Sequence, residues 1–382
     1  MAADVSYDTP PVGSETYWFE IPNQHSTDLL TSADPWYSAL LPLASQLGEP
    51  LEIDAAIDPL LYDSRVELME WWRFWFPRMH VVDVEVASVR SPGGAVSPRN
   101  AQFFSGGLDS WFTLLRHAHD DQPTPVHDLL LGWGLDIPLT DRAAFERAKL
   151  ALGEVAAKFG KNLVPFATNL RETRLKSVLW GAIVHGNLMA AVTQLLSRTY
   201  GRVLIPSSDS YRNLEIWGTH PITDHLYSTT GTRISHEGAA YTRLQKAELI
   251  ATSDIATANL RVCWKSRSDR NCGKCEKCVR TMVALELCGA LDRATSFSHA
   301  ELRTKDIRRV HCPRVSEGGS RVYYVEMERV ARERNRRDLA RAMKAAMWRS
   351  QLREPILRLA YHDRLSWIGR PMIARFHRTL LA

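Results

Sequence analysis

The sequence predicts an α/β fold: a parallel sheet with helices on its faces and a four-cysteine metal site, flanked by an N-terminal α+β region and a basic, helical C-terminal region. Three observations predict it. Between residues 97 and 291, short apolar runs alternate with longer amphipathic ones, the pattern of strands joined by crossover helices. All six cysteines lie between Cys263 and Cys312. From Arg293 to Ala382 the chain carries 21 Lys+Arg against 9 Asp+Glu, a local charge of +12 in a chain whose total is +5.

Composition sets the limits. With 382 residues, 45% hydrophobic and 24% charged, the chain is neither disordered, collagenous nor coiled-coil, and it is long enough for two or three domains. No apolar run reaches the roughly 18 residues of a membrane span. Met1 to Pro10 lacks the basic start and apolar middle of a secretion signal, so the expected location is cytoplasmic, with no membrane partner.

Three blocks are read along the chain: 1–96, 97–291 and 292–382. The first opens on a Pro-containing, turn-rich stretch. It then gives a strand at Leu51 to Ile53, a helix over Ser64 to Phe76 and a strand at His80 to Val89, before the Pro/Gly/Ser linker Ser91 to Pro98. The crowded aromatics Trp71, Trp72, Phe74, Trp75 and Phe76 read as a helix packed on the main domain rather than a ligand platform. In the second block, strands are expected at Ala101 to Phe104, Asp128 to Trp133, Leu163 to Ala167 and Val203 to Pro206. Helices are expected over Asp109 to His119, Thr140 to Phe159 and Ser177 to Thr199. In the third, Val330, Leu339, Met343 and Met347 are placed on one helical face, with Arg332, Arg334, Arg336, Arg337 and Arg341 on the rest.

Phe103-Phe104-Ser105-Gly106-Gly107-Leu108-Asp109-Ser110 carries the first chemical signal. A buried strand runs into Ser-Gly-Gly, and a helix opens at Asp109-Ser110. Glycines let the backbone bend and turn its N–H groups toward an anion, and the helix start adds partial positive charge. Ser105 and Ser110 can donate hydroxyls to the same anion, and Asp109 can hold Mg²⁺ or its waters. No Gly-x-x-x-x-Gly-Lys-Ser/Thr loop occurs, which speaks against kinase-type transfer. The alternative is a plain strand-turn-helix with a Ser/Asp cap.

Cys263, Cys272, Cys275 and Cys278 are spaced C-x8-C-x2-C-x2-C. Four thiolates at about 2.3 Å complete a closed, structural Zn²⁺ site, with an iron–sulfur cluster as the competing group. Arg261, Lys265, Arg267, Arg270, Lys274, Lys277 and Arg280 can offset its formal charge. Cys288 and Cys312 read as small buried residues. Residues 1 to 262 contain no cysteine, which excludes a cysteine-based glutaminase there, so a reaction consuming nitrogen would draw it from ammonia, an amine or a partner.

The glycine loop resembles the PP-loop signature of the ATP pyrophosphatase superfamily. Together with the cysteine pattern, and with Cys272-Gly273-x-Cys275-x-x-Cys278-x-Arg280, the middle block resembles 7-cyano-7-deazaguanine synthases of the queuosine pathway. The resemblance implies an adenine-nucleotide α-hydrolase fold of Rossmann-like type. It implies ATP held by Ser105, Gly106, Gly107, Leu108, Asp109 and Ser110, with Asp109, Lys246 and Arg243 catalytic, and Zn²⁺ on the four cysteines. Arg243 and Lys246 sit where relatives carry a lysine for ATP phosphates; a solvated helix face is the alternative. The implied reaction adenylates a carboxylate, 7-carboxy-7-deazaguanine or a related acid, and transfers it to ammonia or an amine as amide or nitrile, releasing AMP and pyrophosphate.

Both flanks depart from that family, which marks a specialised relative. Relatives with added flanks occur in antiviral and biosynthetic gene sets, so a protein or nucleic-acid acceptor is open, as is a homodimer. Asp209, His220, Asp224, His225, His236 and Glu237 gather polar groups after the fourth strand, where a substrate pocket is expected. Two other functions are carried alongside: a tRNA-modifying PP-loop enzyme that uses Cys288 or Cys312 for sulfur, with the basic tail on phosphates, and a nucleotide-sensing binding module.

Overall fold

The computed structural model describes residues 1–10, 13–24, 29, 32–91, 93–119, 121–263, 270–298, 301–312 and 320–361. They form two compact units, Met1–Ser105 with Asp109–Ala240, and Gly106–Leu108 with Tyr241–Ala382. This division differs from block boundaries at 96/97 and 291/292. Residues of the first block, among them Tyr37, Leu61 and Trp72, share one hydrophobic cluster with Ala101, Leu130 and Val203 of the sheet.

In the first unit the elements run β1 (Ala2–Tyr7), β2 (Gly13–Glu20), α1 (Asp34–Leu47), β3 (Leu51–Ile57), α2 (Pro59–Asp63), α3 (Arg65–Trp75) and β4 (Val84–Val89). They continue with β5 (Asn100–Phe103), α4 (Leu108–His117), β6 (Asp128–Trp133), α5 (Arg142–Lys158), β7 (Asn162–Thr168), α6 (His185–Leu195), β8 (Arg202–Pro206) and β9 (Arg233–Glu237). Seven strands make the main sheet in the order β1-β2-β7-β6-β5-β8-β9, and β3 and β4 pair in parallel beside it as a separate two-stranded sheet. From β7 to β9 every pairing is parallel, so the central sheet is mostly parallel. Chain order places β6 and β7 on one side of β5 and β8 and β9 on the other, so the direction of winding reverses at β5/β8. Ligands of open α/β sheets bind beyond the carboxyl ends of the strands at such a reversal.

Several elements differ from the sequence expectation. The start of the chain is not a run of turns: β1 and β2 pair antiparallel and add to the edge through Phe19 and Glu20 opposite Thr168 and Ala167. Only Tyr17 and Phe19 of β2 are buried, too short an alternation to stand out. Helix α1 has Pro35 at its start and Pro42 inside, and Asp34 through Ser45 are all buried, so it shows neither an unbroken helical run nor a polar face. Strand β9 has a single apolar residue, Ile234, as an edge strand can. The single helix expected over Ser177 to Thr199 is a π-helical turn, Trp180–Val184, followed by α6. At Gly181 an added Cβ would meet the Trp217 ring at 2.7 Å, so a larger residue there would have to push that ring aside.

A closer approach occurs at Gly186 in the first turn of α6, where a Cβ would stand 1.6 Å from the Gly218 carbonyl oxygen. Two backbones cannot separate without moving buried neighbours. Gly186→Ala is expected to destabilise the fold by roughly 3 kcal/mol, read as a lower urea midpoint.

The second unit is helical: α7 (Arg243–Ala251), α8 (Asp254–Ala258), α9 (Glu276–Leu287), α10 (Thr304–Arg309), α11 (Arg321–Glu333) and α12 (Arg337–Tyr361). The expected continuous face from Val330 to Met347 is broken. Asn335 takes a left-handed conformation (φ 58°) between α11 and α12, so Val330 lies on a different helix from the buried Leu339, Met343 and Met347. Three of the arginines placed on the rest of the surface are engaged in ion pairs. Arg332 pairs with Glu328, Arg334 with Glu248 at 2.9 Å, and Arg336 with Glu286 at 2.6 Å. Among the described residues no helix is long and apolar enough to cross a membrane.

Candidate functional site

The four-cysteine cluster assembles around one turn and one helix start. Gly273 has φ +66°, the left-handed bend that lets Cys272 and Cys275 converge. The Cys272 sulfur accepts the Cys275 N–H at 3.3 Å and the Lys274 N–H at 3.5 Å. Cys275 caps α9 and Cys278 lies in its first turn. Cys263 Sγ is 3.8 Å from Cys275 Sγ, Cys272 Sγ is 3.8 Å from Cys278 Sγ, and all four sulfurs lie within 4.8 Å of one another.

A tetrahedron with metal–sulfur bonds of about 2.3 Å has sulfur–sulfur edges of about 3.8 Å. The cluster therefore fits one ion such as zinc. An iron–sulfur cluster spreads its thiolates over several irons and needs them farther apart. The Cys275 thiol is pulled down, first by its hydrogen bond with Cys278, while the same bond pushes Cys278 up. Of the basic residues expected around the cluster, Lys265 and Arg267 lie outside the described residues.

Sequence reasoning missed Asn271, which is 2% exposed. Its Oδ1 accepts the N–H groups of Val262 (2.9 Å) and Cys263 (3.0 Å), and its Nδ2 donates to the Leu260 carbonyl (2.8 Å) and to Ser296 Oγ (3.1 Å). It clamps the segment carrying the first ligand. The Arg261 N–H in that segment donates to the Gly106 carbonyl at 2.7 Å, which fastens the glycine loop to the cysteine segment. The available signal was its place directly before Cys272, the position that must be fixed to close the x8 loop.

The glycine loop follows β5, the central strand at the reversal of winding. Gly106 is buried with φ +75°, a conformation that favours glycine. Leu108 opens α4 and is 1% exposed, Ser105 is exposed, and Gly107 and Asp109 are half-buried. Ser110 is 4% exposed, and Gln102 Nε2 donates to its carbonyl at 3.0 Å. Trp111 and Leu114 are buried beneath the helix, as the apolar pattern requires.

Arg243 and Lys246 occupy the first turn of α7, behind a capping box of Thr242 and Gln245. Lys246 is 1% exposed and Arg243 8%, so neither belongs to a solvated face. The Arg243 and Arg280 guanidinium carbons lie 5.4 and 4.5 Å from the Tyr323 ring centroid. Burial raises the Cys288 thiol to about 11 and the Cys312 thiol to about 12, which disfavours the thiolate that sulfur transfer needs.

The polar residues expected to gather after β8 separate into groups. Asp224 (1% exposed) accepts the His220 N–H at 2.9 Å through Oδ1, and its Oδ2 lies 2.7 Å from His236 Nδ1. His220 Nδ1 accepts the Ile222 N–H at 3.2 Å, and its ring centroid is 5.2 Å from that of Trp75. Burial lowers the His220 pKa, with His236 adding to the effect and Asp224 opposing it. Glu237 instead pairs with Arg116 at 2.8 Å and His117 at 3.3 Å. His225 is exposed, within 3.3 Å of the Pro221 carbonyl. The Asp209 carbonyl accepts the Ser207 hydroxyl at 2.6 Å. No family model, no curated protein and no solved structure matches the chain.

Proposed function

We propose that the protein is an ATP-dependent carbon–nitrogen ligase of the PP-loop, 7-cyano-7-deazaguanine synthase-like type. It adenylates a carboxylate and passes the acyl group to ammonia or an amine. One observation carries the reading: the Ser-Gly-Gly-Leu-Asp-Ser bend joins the central strand β5 to α4 where the winding of a mostly parallel sheet reverses. In this reading backbone N–H groups of the bend and the Ser105 and Ser110 hydroxyls hold ATP phosphates, and Asp109 holds Mg²⁺ or its waters. Arg243 and Lys246 supply positive charge for the adenylyl transition state. Zn²⁺ on the four cysteines is structural, because four thiolates leave no position for water. The sulfur-transfer reading has no support from the buried, weakly acidic Cys288 and Cys312.

The purified protein with ATP, Mg²⁺, ammonium and 7-carboxy-7-deazaguanine is expected to give AMP, pyrophosphate and a product about 1 Da lighter than the acid (amide) or about 19 Da lighter (nitrile), read by mass spectrometry. ATP bound but never split with this acid or a panel of related acids would favour the binding-module reading instead.

A further inference from the structure

The Asp224–His236 pair is a buried titratable cluster of the first unit that the ligase reading leaves without a task. Asp224 and the His236 side chain are 1% and 7% exposed. A carboxylate can only accept, so at 2.7 Å His236 Nδ1 is the donor, and in the neutral ring the lone pair is then on Nε2. Among the described residues Nε2 has no protein partner, yet it is not sealed from solvent. Asp224 is itself held by the His220 N–H at 2.9 Å, so the carboxylate cannot swing away from the imidazole.

A histidine oriented by a buried carboxylate through one nitrogen, with the other nitrogen open, has the arrangement of a general base. Its place suits that task. His236 lies near the carboxyl end of β9, paired with Ile205 of β8, and β8 in turn pairs with β5. Two strand spacings put the β5 and β9 backbones about 10 Å apart.

We propose that His236, positioned by Asp224, is the base that takes the proton from the nitrogen nucleophile; the assignment rests on the ligase reading. The lone pair of neutral ammonia or amine attacks the carbonyl carbon of the acyl-adenylate and the C–N bond forms. The proton leaves nitrogen for His236 Nε2. The tetrahedral carbon then collapses, its bond to the phosphate oxygen breaks, and AMP departs with that electron pair. His236 returns the proton to solvent. Asp224 is a positioning residue and His236 the catalytic one.

Three measurements test this with 7-carboxy-7-deazaguanine as the acid. His236→Gln is expected to slow ammonia-dependent product formation roughly 100-fold or more beyond any change in ATP–pyrophosphate exchange. Hydroxylamine is a stronger nucleophile and depends less on a base, so with it the loss should shrink at least about tenfold. Equal losses with both nucleophiles, or none, overturn the proposal. A wild-type protein that exchanges no pyrophosphate sinks the ligase reading, and with it the nucleophile; that outcome differs from one in which wild type reacts and His236→Gln matches it.

Nitrogen NMR of histidine-labelled protein needs no substrate. It should find the neutral His236 ring protonated at Nδ1, and Asp224→Asn should weaken that preference. A ring protonated at Nε2 in the wild type overturns the assignment.

Discussion

Asp109→Asn is expected to reduce ATP–pyrophosphate exchange by roughly 10²–10³-fold, the usual cost of losing one group that stabilises transition-state charge. The isosteric amide keeps the size of the side chain but cannot hold Mg²⁺ with a formal charge. Asp109 is half-buried in the first turn of α4, where a carboxylate gains roughly 0.3–1 kcal/mol from the helix dipole. The melting temperature should therefore move by only a few degrees while exchange collapses. A variant that exchanges pyrophosphate like the wild type would show that the bend is only a strand-to-helix connection.

The largest effect on stability is expected at the cysteines. The wild type is expected to carry one metal ion per chain, and Cys278→Ser to carry close to none. Structural zinc contributes an apparent 10–16 kcal/mol or so in zinc-finger peptides, and that binding energy is folding energy. If roughly 5 kcal/mol of it is lost, the melting temperature should fall by about 10–20 °C for a unit of this size. Elemental analysis and a thermal melt give both readings.

The consequences extend past the cluster because Cys263, Val262 and Leu260 are tied to Asn271, and Arg261 holds the Gly106 carbonyl. Removing the ion with a chelator should therefore also raise the ATP concentration needed for exchange. Unchanged metal content and melting in Cys278→Ser would refute the metal site.

The parallel core was legible because each strand there is a short apolar run bounded by turn residues. Asp128–Trp133 matches its expected bounds, and the strands at Asn162–Thr168 and Arg202–Pro206 extend theirs by only one or two residues. Elements that failed to show were those whose environment removes the signal. Helix α1 is buried all round, and β9 carries polar residues because it lies at an edge. The helix expected over Val330 to Met347 is cut by the αL residue Asn335, which a periodicity count passes over.

By itself the sequence determined the features that close within a few residues: the glycine bend between Phe104 and Ser110, and a cysteine set in which three ligands share one turn and one helix start. Short loops need little ordering of the rest of the chain, so spacing alone specifies them. Only the tertiary structure decided the rest. It gave Asn271 its four partners, buried Lys246, and brought Asp224 and His236 together while sending Glu237 to Arg116. Those outcomes depend on the pairing of β9 with β8, and a shift of one residue in a strand's register turns every side chain to the opposite face.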